Sequence, residues 1–327
     1  MRAIGSVIPT PKAATSARSA LSHLTNGQPW RGFRTARGAL AALLRHRRIK
    51  RIWLPAYICR TLFEGASDCE VAWYETDERL EINLDSLAPD GGDAVFVVDY
   101  FGRSPKRPIE SAWHSHVLWI EDRAQALAPD GPAFGDVVLH SPRKLFGVAD
   151  GGILVGDDLP QPMPCGTGPD LWEANDLRAA DPDGEEPAAW FLAFRAREAA
   201  FTTEACGIDP RTISALDQID VEAEIAARRA NWRILAQNLA DIALWPDIDA
   251  AFAPLAFPVV VDDAAALSAH LASERIWCAR HWADLPSPQT FAAAHALSRR
   301  CLSLPLDGRY GEDDMNRMIA AIRRYPR

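Results

Sequence analysis

No Cys-x-x-C pair occurs in the chain, whose six cysteines (Cys59, Cys69, Cys165, Cys206, Cys278 and Cys301) stand far apart. Such isolated thiols fit neither a zinc site nor a dense disulfide framework, and a reducing, cytoplasmic compartment is expected. Long hydrophobic runs are missing too. None approaches the ~18 apolar residues of a membrane span, and Met1-Arg-Ala-Ile-Gly-Ser-Val-Ile-Pro has no apolar stretch of signal-peptide length. Positive charge is in deficit. The 35 Lys and Arg stand against 44 Asp and Glu, and the resulting −9 works against nucleic acid and anionic membrane as partners. No Gly-x-Gly-x-x-Gly follows a strand-like run, so nothing points to a dinucleotide fold. Ser141 is followed by proline and lacks the Gly-x-Ser-x-Gly elbow of a serine hydrolase. His114 and His116 have no third ligand in any recognisable pattern, so no metal is expected.

What is present is an ordinary globular composition, 48% hydrophobic and 24% charged, over 327 residues. That length exceeds one domain of ~100–200 residues, and a large α/β domain over 1–220 with a smaller C-terminal α+β domain over 221–327 is expected. Arg37 to Ile49 reads as a helix starting near Thr35. Its basic tail, Arg45 to Arg51, complements a helix C-terminus rather than nucleic acid. Short apolar runs at Arg51–Pro55, Val71–Tyr74, Ala94–Asp99 and Val117–Asp122 read as strands buried on both faces. Such runs, alternating with helices, indicate a mostly parallel central sheet flanked by helices. Asp99 and Asp122 then fall at strand carboxyl ends, where open α/β sheets place their ligands. The Pro-, Gly- and Asp-rich stretch 157–186 reads as a long irregular surface segment able to cover a site. Helices are expected over 188–205, 221–239, 264–274 and 313–324, and a strand over 252–261. Most of the eleven tryptophans belong in the core or a subunit interface.

The stretch Gly135 to Val155 carries the most chemistry. Two apolar segments flank a loop with Ser141, Lys144 and Gly151-Gly152. A lysine desolvated between buried strands is shifted toward the neutral amine that forms a Schiff base, and paired glycines let backbone approach it. A loop lysine is otherwise a solvated surface residue. Asp122 is placed to keep a pyridinium nitrogen protonated, or simply to cap a helix. Thr35-Ala-Arg-Gly38 opens a helix whose free amides and dipole suit a phosphate, or is a plain N-cap. His140, beside Ser141, either touches substrate or packs. One phosphate seat, one acid and one lysine, in that order, fit pyridoxal phosphate chemistry.

The motifs resemble those of the DegT/DnrJ/EryC1/StrS aminotransferases. Thr35-Ala-Arg-Gly-Ala-Leu is similar to that family's phosphate turn and Leu54-Pro-Ala-Tyr-Ile-Cys to its loop over the cofactor. Val98-Asp-Tyr-Phe-Gly is similar to its His-x-Tyr-Gly segment, and Ile120-Glu-Asp-Arg-Ala-Gln to its Glu-Asp-x-Ala-Gln/His motif. Ser141 to Gly152 resembles the Schiff-base loop. The resemblance implies an aspartate-aminotransferase-like fold (fold type I) and pyridoxal 5'-phosphate as cofactor. It further implies Glu or Gln as amine donor, a nucleotide-linked keto-sugar or related carbonyl acceptor, and a homodimer. Carried over, Lys144 is the internal-aldimine lysine and Asp122 the partner of the ring nitrogen. Gln125 bonds the ring hydroxyl, while Thr35, Ala36, Arg37, Gly38 and Ser141 surround the phosphate. Lysine at position 144 implies amine transfer, since family members with histidine there perform dehydration. The chain departs from the pattern at Cys59, which falls where a ring usually stacks on the cofactor and leaves Tyr57 as its substitute. Asp99 replaces the common histidine, and the Ser141–Lys144 spacing is two residues short. The short loop and the missing stacking ring motivate an alternative, a catalytically idle homologue that binds or scaffolds in the same pathway.

Overall fold

The computed structural model describes residues 2–12, 18–106, 116–166, 170–246 and 252–326. His114 lies outside them, and His116 is an exposed residue in a turn before a strand.

Seven strands form the central sheet, in the spatial order Trp30–Phe33, Gly152–Gly156, Val137–His140, Leu118–Asp122, Ala94–Val98, Arg51–Pro55 and Glu70–Tyr74. Gly152–Gly156 runs antiparallel to both neighbours, and every other pairing is parallel. The expected mostly parallel α/β sheet is thus observed. All five residues of Ala94–Val98 are buried, as a parallel strand covered on both faces requires. The register pairs Val98 with Asp122 and Asp122 with Leu139. Three strand ends therefore lie side by side and carry Asp99, Asp122 and Ser141 to one edge.

Helix Ala36–His46 begins at Thr35, whose Oγ1 accepts the Gly38 N–H at 3.0 Å. It ends earlier than the expected Ile49, because Arg48 turns the chain left-handed at φ 54°. Arg47 donates to the carbonyls of Asp157 and Asp158, which ties this basic helix end to the loop after Gly156.

The proline-rich stretch is not irregular throughout. It holds a helix, Glu173–Ala180, between the proline clusters, with Ala174, Asn175 and Arg178 buried. Leu171 and Trp172 pack under its start, and Asn175 Nδ2 donates to the Ile8 carbonyl at 2.7 Å. Tertiary burial, rather than local propensity, selects this helix.

In the C-terminal part, helices Val221–Leu239, Ala264–Ser273, Ala292–Arg300 and Glu312–Arg324 surround an antiparallel pair, Ala256–Val260 with Cys301–Pro305. The single strand expected over 252–261 is two. Ala253–Pro254 pairs with Ala126–Ala128, and the chain then turns to a different partner at Ala256. Helix Pro187–Ala200 stops short of 205, where Phe201 takes extended backbone. One buried cluster runs from Leu40, Ile52 and Tyr57 to Trp232, Phe257, Leu302 and Met318. Trp232 lies 5.0 Å from Phe252 and 4.7 Å from Phe257, ring centre to ring centre, a core role for this tryptophan. Near the chain start, Ile4 and Gly5 pair in parallel with Ile276 and Trp277. No described helix is long and apolar enough to cross a membrane.

Candidate active site

Thr35, Ala36, Arg37, Cys59, Asp122, Ser141 and Lys144 line one inner pocket. It adjoins a cleft of about 1060 Å³, and Lys144, Cys59 and Trp282 border both spaces.

Each of these residues reaches the pocket for a local reason. Lys144 sits on a single helical turn, Pro142–Leu145, between strands Val137–His140 and Gly152–Gly156. The hairpin around it closes through Gly151 and Gly152. Gly151 has φ +127°, and a Cβ on Gly152 would lie 2.3 Å from the Thr35 carbonyl oxygen. Only glycine permits this approach, which brings the lysine turn against the start of helix Ala36–His46. Thr35 and Gly151 also form a parallel bridge there. Asp122 ends its strand, and its Oδ1 accepts the Ala124 N–H at 2.9 Å. Burial pushes the Asp122 carboxyl above the usual carboxylate range, opposed by the charge of Lys144 and by that N–H. Ser141 is 1% exposed and still lines the pocket, so the short spacing to Lys144 does not remove it.

The other predicted residues are placed differently. The Gly38 N–H is taken by Thr35 Oγ1, so of the expected Arg37 and Gly38 amides only that of Arg37 remains for an anion. The Arg37 guanidinium pairs with Glu64 at 2.8 Å rather than pointing to solvent. Gln125 is buried away from the pocket lining, and its Oε1 accepts the Phe101 N–H at 2.8 Å. Tyr57 is fully buried behind the pocket, its hydroxyl donating to the His281 carbonyl. Cys59 caps helix Arg60–Glu64 by accepting the Leu62 N–H at 3.3 Å. Asp99 joins a buried cluster, 3.3 Å from Arg123, which also pairs with Glu121 at 2.6 Å. Burial, then Glu121, raises the Asp99 carboxyl well above its ordinary range. His140 is buried and packs outside the pocket lining. Burial, then Arg123 and His23, lowers its pKa to about 3.

Four residues at the site carry no local sequence signal. Trp282 borders the inner pocket from the C-terminal part. His281, beside it, is held neutral by burial and by Lys144, which lower its pKa to about 3. Arg143 lines the pocket and pairs with Glu198 at 2.7 Å. Arg228 is buried and donates to the carbonyls of Leu145, Pro254 and Leu255 at 2.8–3.0 Å, locking the residue after Lys144 to helix Val221–Leu239. Among the described residues no group of three or more His, Cys, Asp or Glu is arranged to hold a metal.

Neither family models nor curated proteins match this chain. Solved structures do. A DegT DnrJ EryC1 StrS aminotransferase from Brucella abortus superposes with a TM-score of 0.65 at 19% identity, covering 93% of this chain and 87% of its own. A sugar aminotransferase from Micromonospora echinospora gives 0.59 at 18% identity, covering 97% and 99%. The chain has the aminotransferase fold. A GDP-4-keto-6-deoxymannose-3-dehydratase superposes as well, with a TM-score of 0.64 at 13% identity over 92% and 90%. The fold is therefore common to amine transfer and dehydration, and residues of the site must distinguish them.

Proposed function

We propose that this chain is a pyridoxal 5'-phosphate-dependent aminotransferase. It moves an amino group from a small donor, Glu or Gln, to a carbonyl acceptor of the keto-sugar kind. The observation that carries this reading is the convergence of Lys144, Asp122, Ser141 and the Thr35–Arg37 helix start on one pocket.

The residues fit the cofactor. Asp122 is a buried carboxyl whose pKa is raised because burial outweighs the compensation around it. A protonated ring nitrogen at its free side would return it to the charged form. The Arg37 N–H, the Ser141 hydroxyl and the positive end of the helix dipole, which share the pocket lining with Asp122, would suit the phosphate. When bound, pyridoxal phosphate supplies an electron sink for the carbanion left by α-proton removal. Lys144 would hold the cofactor through its Nζ and would be the group that moves that proton, and its place between pocket and cleft gives it access to both tasks. Lysine rather than histidine at this position supports amine transfer over dehydration. One neighbour of the same fold, from Streptococcus pneumoniae, has been solved in a PLP form at 13% identity and a TM-score of 0.65. The reading takes 1–220 as the cofactor-binding domain and 221–327 as the smaller domain. It also takes the cytoplasm as location and a homodimer as the working assembly.

Borohydride reduction with added pyridoxal phosphate, followed by peptide mass mapping, tests it. The expected label is on Lys144. A label on another lysine, or none at saturating cofactor, would overturn the reading and favour an idle, scaffolding homologue.

A further inference from the structure

We propose that Trp282 is the ring that packs against the cofactor, in the place of the residue that Cys59 replaces. The proposal rests on the pyridoxal phosphate reading above.

Among the described residues lining the inner pocket, Trp282 is the only one with an aromatic ring. It shares that lining with Lys144, Asp122 and Cys59. A thiol has no π face, and the Cys59 Sγ is engaged as a helix cap. Tyr57 does not serve either, because it is fully buried and stands behind Trp282 at 5.4 Å between ring centres.

The position of Trp282 is built rather than incidental. The Tyr57 hydroxyl donates to the carbonyl of His281, and the Ser298 hydroxyl donates to the carbonyl of Trp282 itself. His281 Nδ1 lies 2.7 Å from Ser303 Oγ, and its ring meets Phe101 edge-on at 5.8 Å. Two consecutive peptide carbonyls are thus anchored from different elements. Tyr57 and Tyr100 back the indole, the latter at 6.4 Å. A ring held this way loses little freedom when a flat heteroaromatic group binds beside it, which is what preorganisation requires. The indole also borders the large cleft, so one side chain limits both the cofactor space and the approach to it.

Cofactor titration by absorbance, in the wild type, Trp282→Phe and Trp282→Ala, tests the proposal. Loss of the ring is expected to raise the Kd for pyridoxal phosphate about tenfold or more, and Trp282→Phe to stay within about threefold of wild type. Tryptophan emission supplies a second measurement that does not need the alanine variant to fold. Cofactor binding should quench a smaller fraction of emission in Trp282→Phe than in wild type, because the indole in contact is gone. Unchanged affinity in a folded Trp282→Ala protein would overturn the proposal, as would quenching equal in Trp282→Phe and wild type. So would a change confined to the KM for the acceptor, which would make Trp282 a substrate contact only. If the wild type itself takes no cofactor at Lys144, the underlying functional reading fails first. If it does and the Trp282 variants match it, this inference alone fails.

Discussion

At the scale of single residues, the pocket contains one carboxyl whose environment is out of balance. Asp122 is buried with Lys144 as its compensating charge and one N–H on Oδ1. Asp122→Asn keeps the size and the Ala124 contact but cannot hold a ring nitrogen protonated. The expected outcome is a folded protein that still binds pyridoxal phosphate while its turnover falls by about a hundredfold or more. Half-reaction kinetics with an amine donor measure this, and near-normal turnover would remove Asp122 from its assigned role. Asp122, Lys144, Ser141 and Thr35 were legible in the sequence because each sits at a strand or helix terminus that local pattern marks. Trp282 and Arg228 were not, because they enter the site from distant chain segments and no local periodicity records such a contact. Gln125 lay within a motif, yet its amide turns to the Phe101 backbone, a partner created only by the folded loop.

At the scale of elements, the decisive contact joins the lysine hairpin to the first long helix. A methyl group on Gly152 would meet Thr35 O at 2.3 Å, Thr35 C at 2.4 Å and Ala36 N at 2.5 Å, all backbone atoms. Gly152→Ala must therefore push the strand and helix start apart. We expect a loss of about 1–3 kcal/mol in stability together with weaker cofactor binding, readable by denaturant titration and absorbance. Unchanged stability would mean that the contact is looser than described. Gly38 is a poor probe of phosphate binding for a related reason, since its Cβ would lie 2.5 Å from the Glu204 carbonyl oxygen. Strands of the parallel sheet were readable as continuous apolar runs. Helix Glu173–Ala180 was hidden by the prolines around it, and the split at Ala256 was hidden because both halves are apolar.

At the scale of the whole molecule, stability depends on buried groups whose titrations push it in opposite directions. His140 has a folded-state pKa of about 3 against an ordinary 6.5, with burial the main cause and Arg123 and His23 adding to it. Between those values the unfolded chain binds more protons at this position, so His140 costs stability as pH falls from 6.5 toward 3. Asp150 works the other way: burial raises its carboxyl to about 6, which favours the fold as pH drops through that value. Comparison with a variant separates the two. His140→Gln is expected to lose less thermal stability than wild type between pH 7 and pH 4, by on the order of a few kcal/mol. Parallel melting curves across that range would contradict the assignment.

The pairing of Ile4 and Gly5 with Ile276 and Trp277 has a consequence for how the protein is made. The Gly5 N–H donates to the Tyr310 hydroxyl at 2.7 Å, and Gly5 to Ile8 line the same large cleft as Trp277. During synthesis these first residues leave the ribosome long before their partners do. Their strand pairing must wait for Ile276 and Trp277 to emerge, and the Tyr310 contact waits longer still. This wall of the cleft is therefore completed only after the lysine hairpin has emerged, and a nascent chain halted before Tyr310 would carry that hairpin without a finished mouth above it.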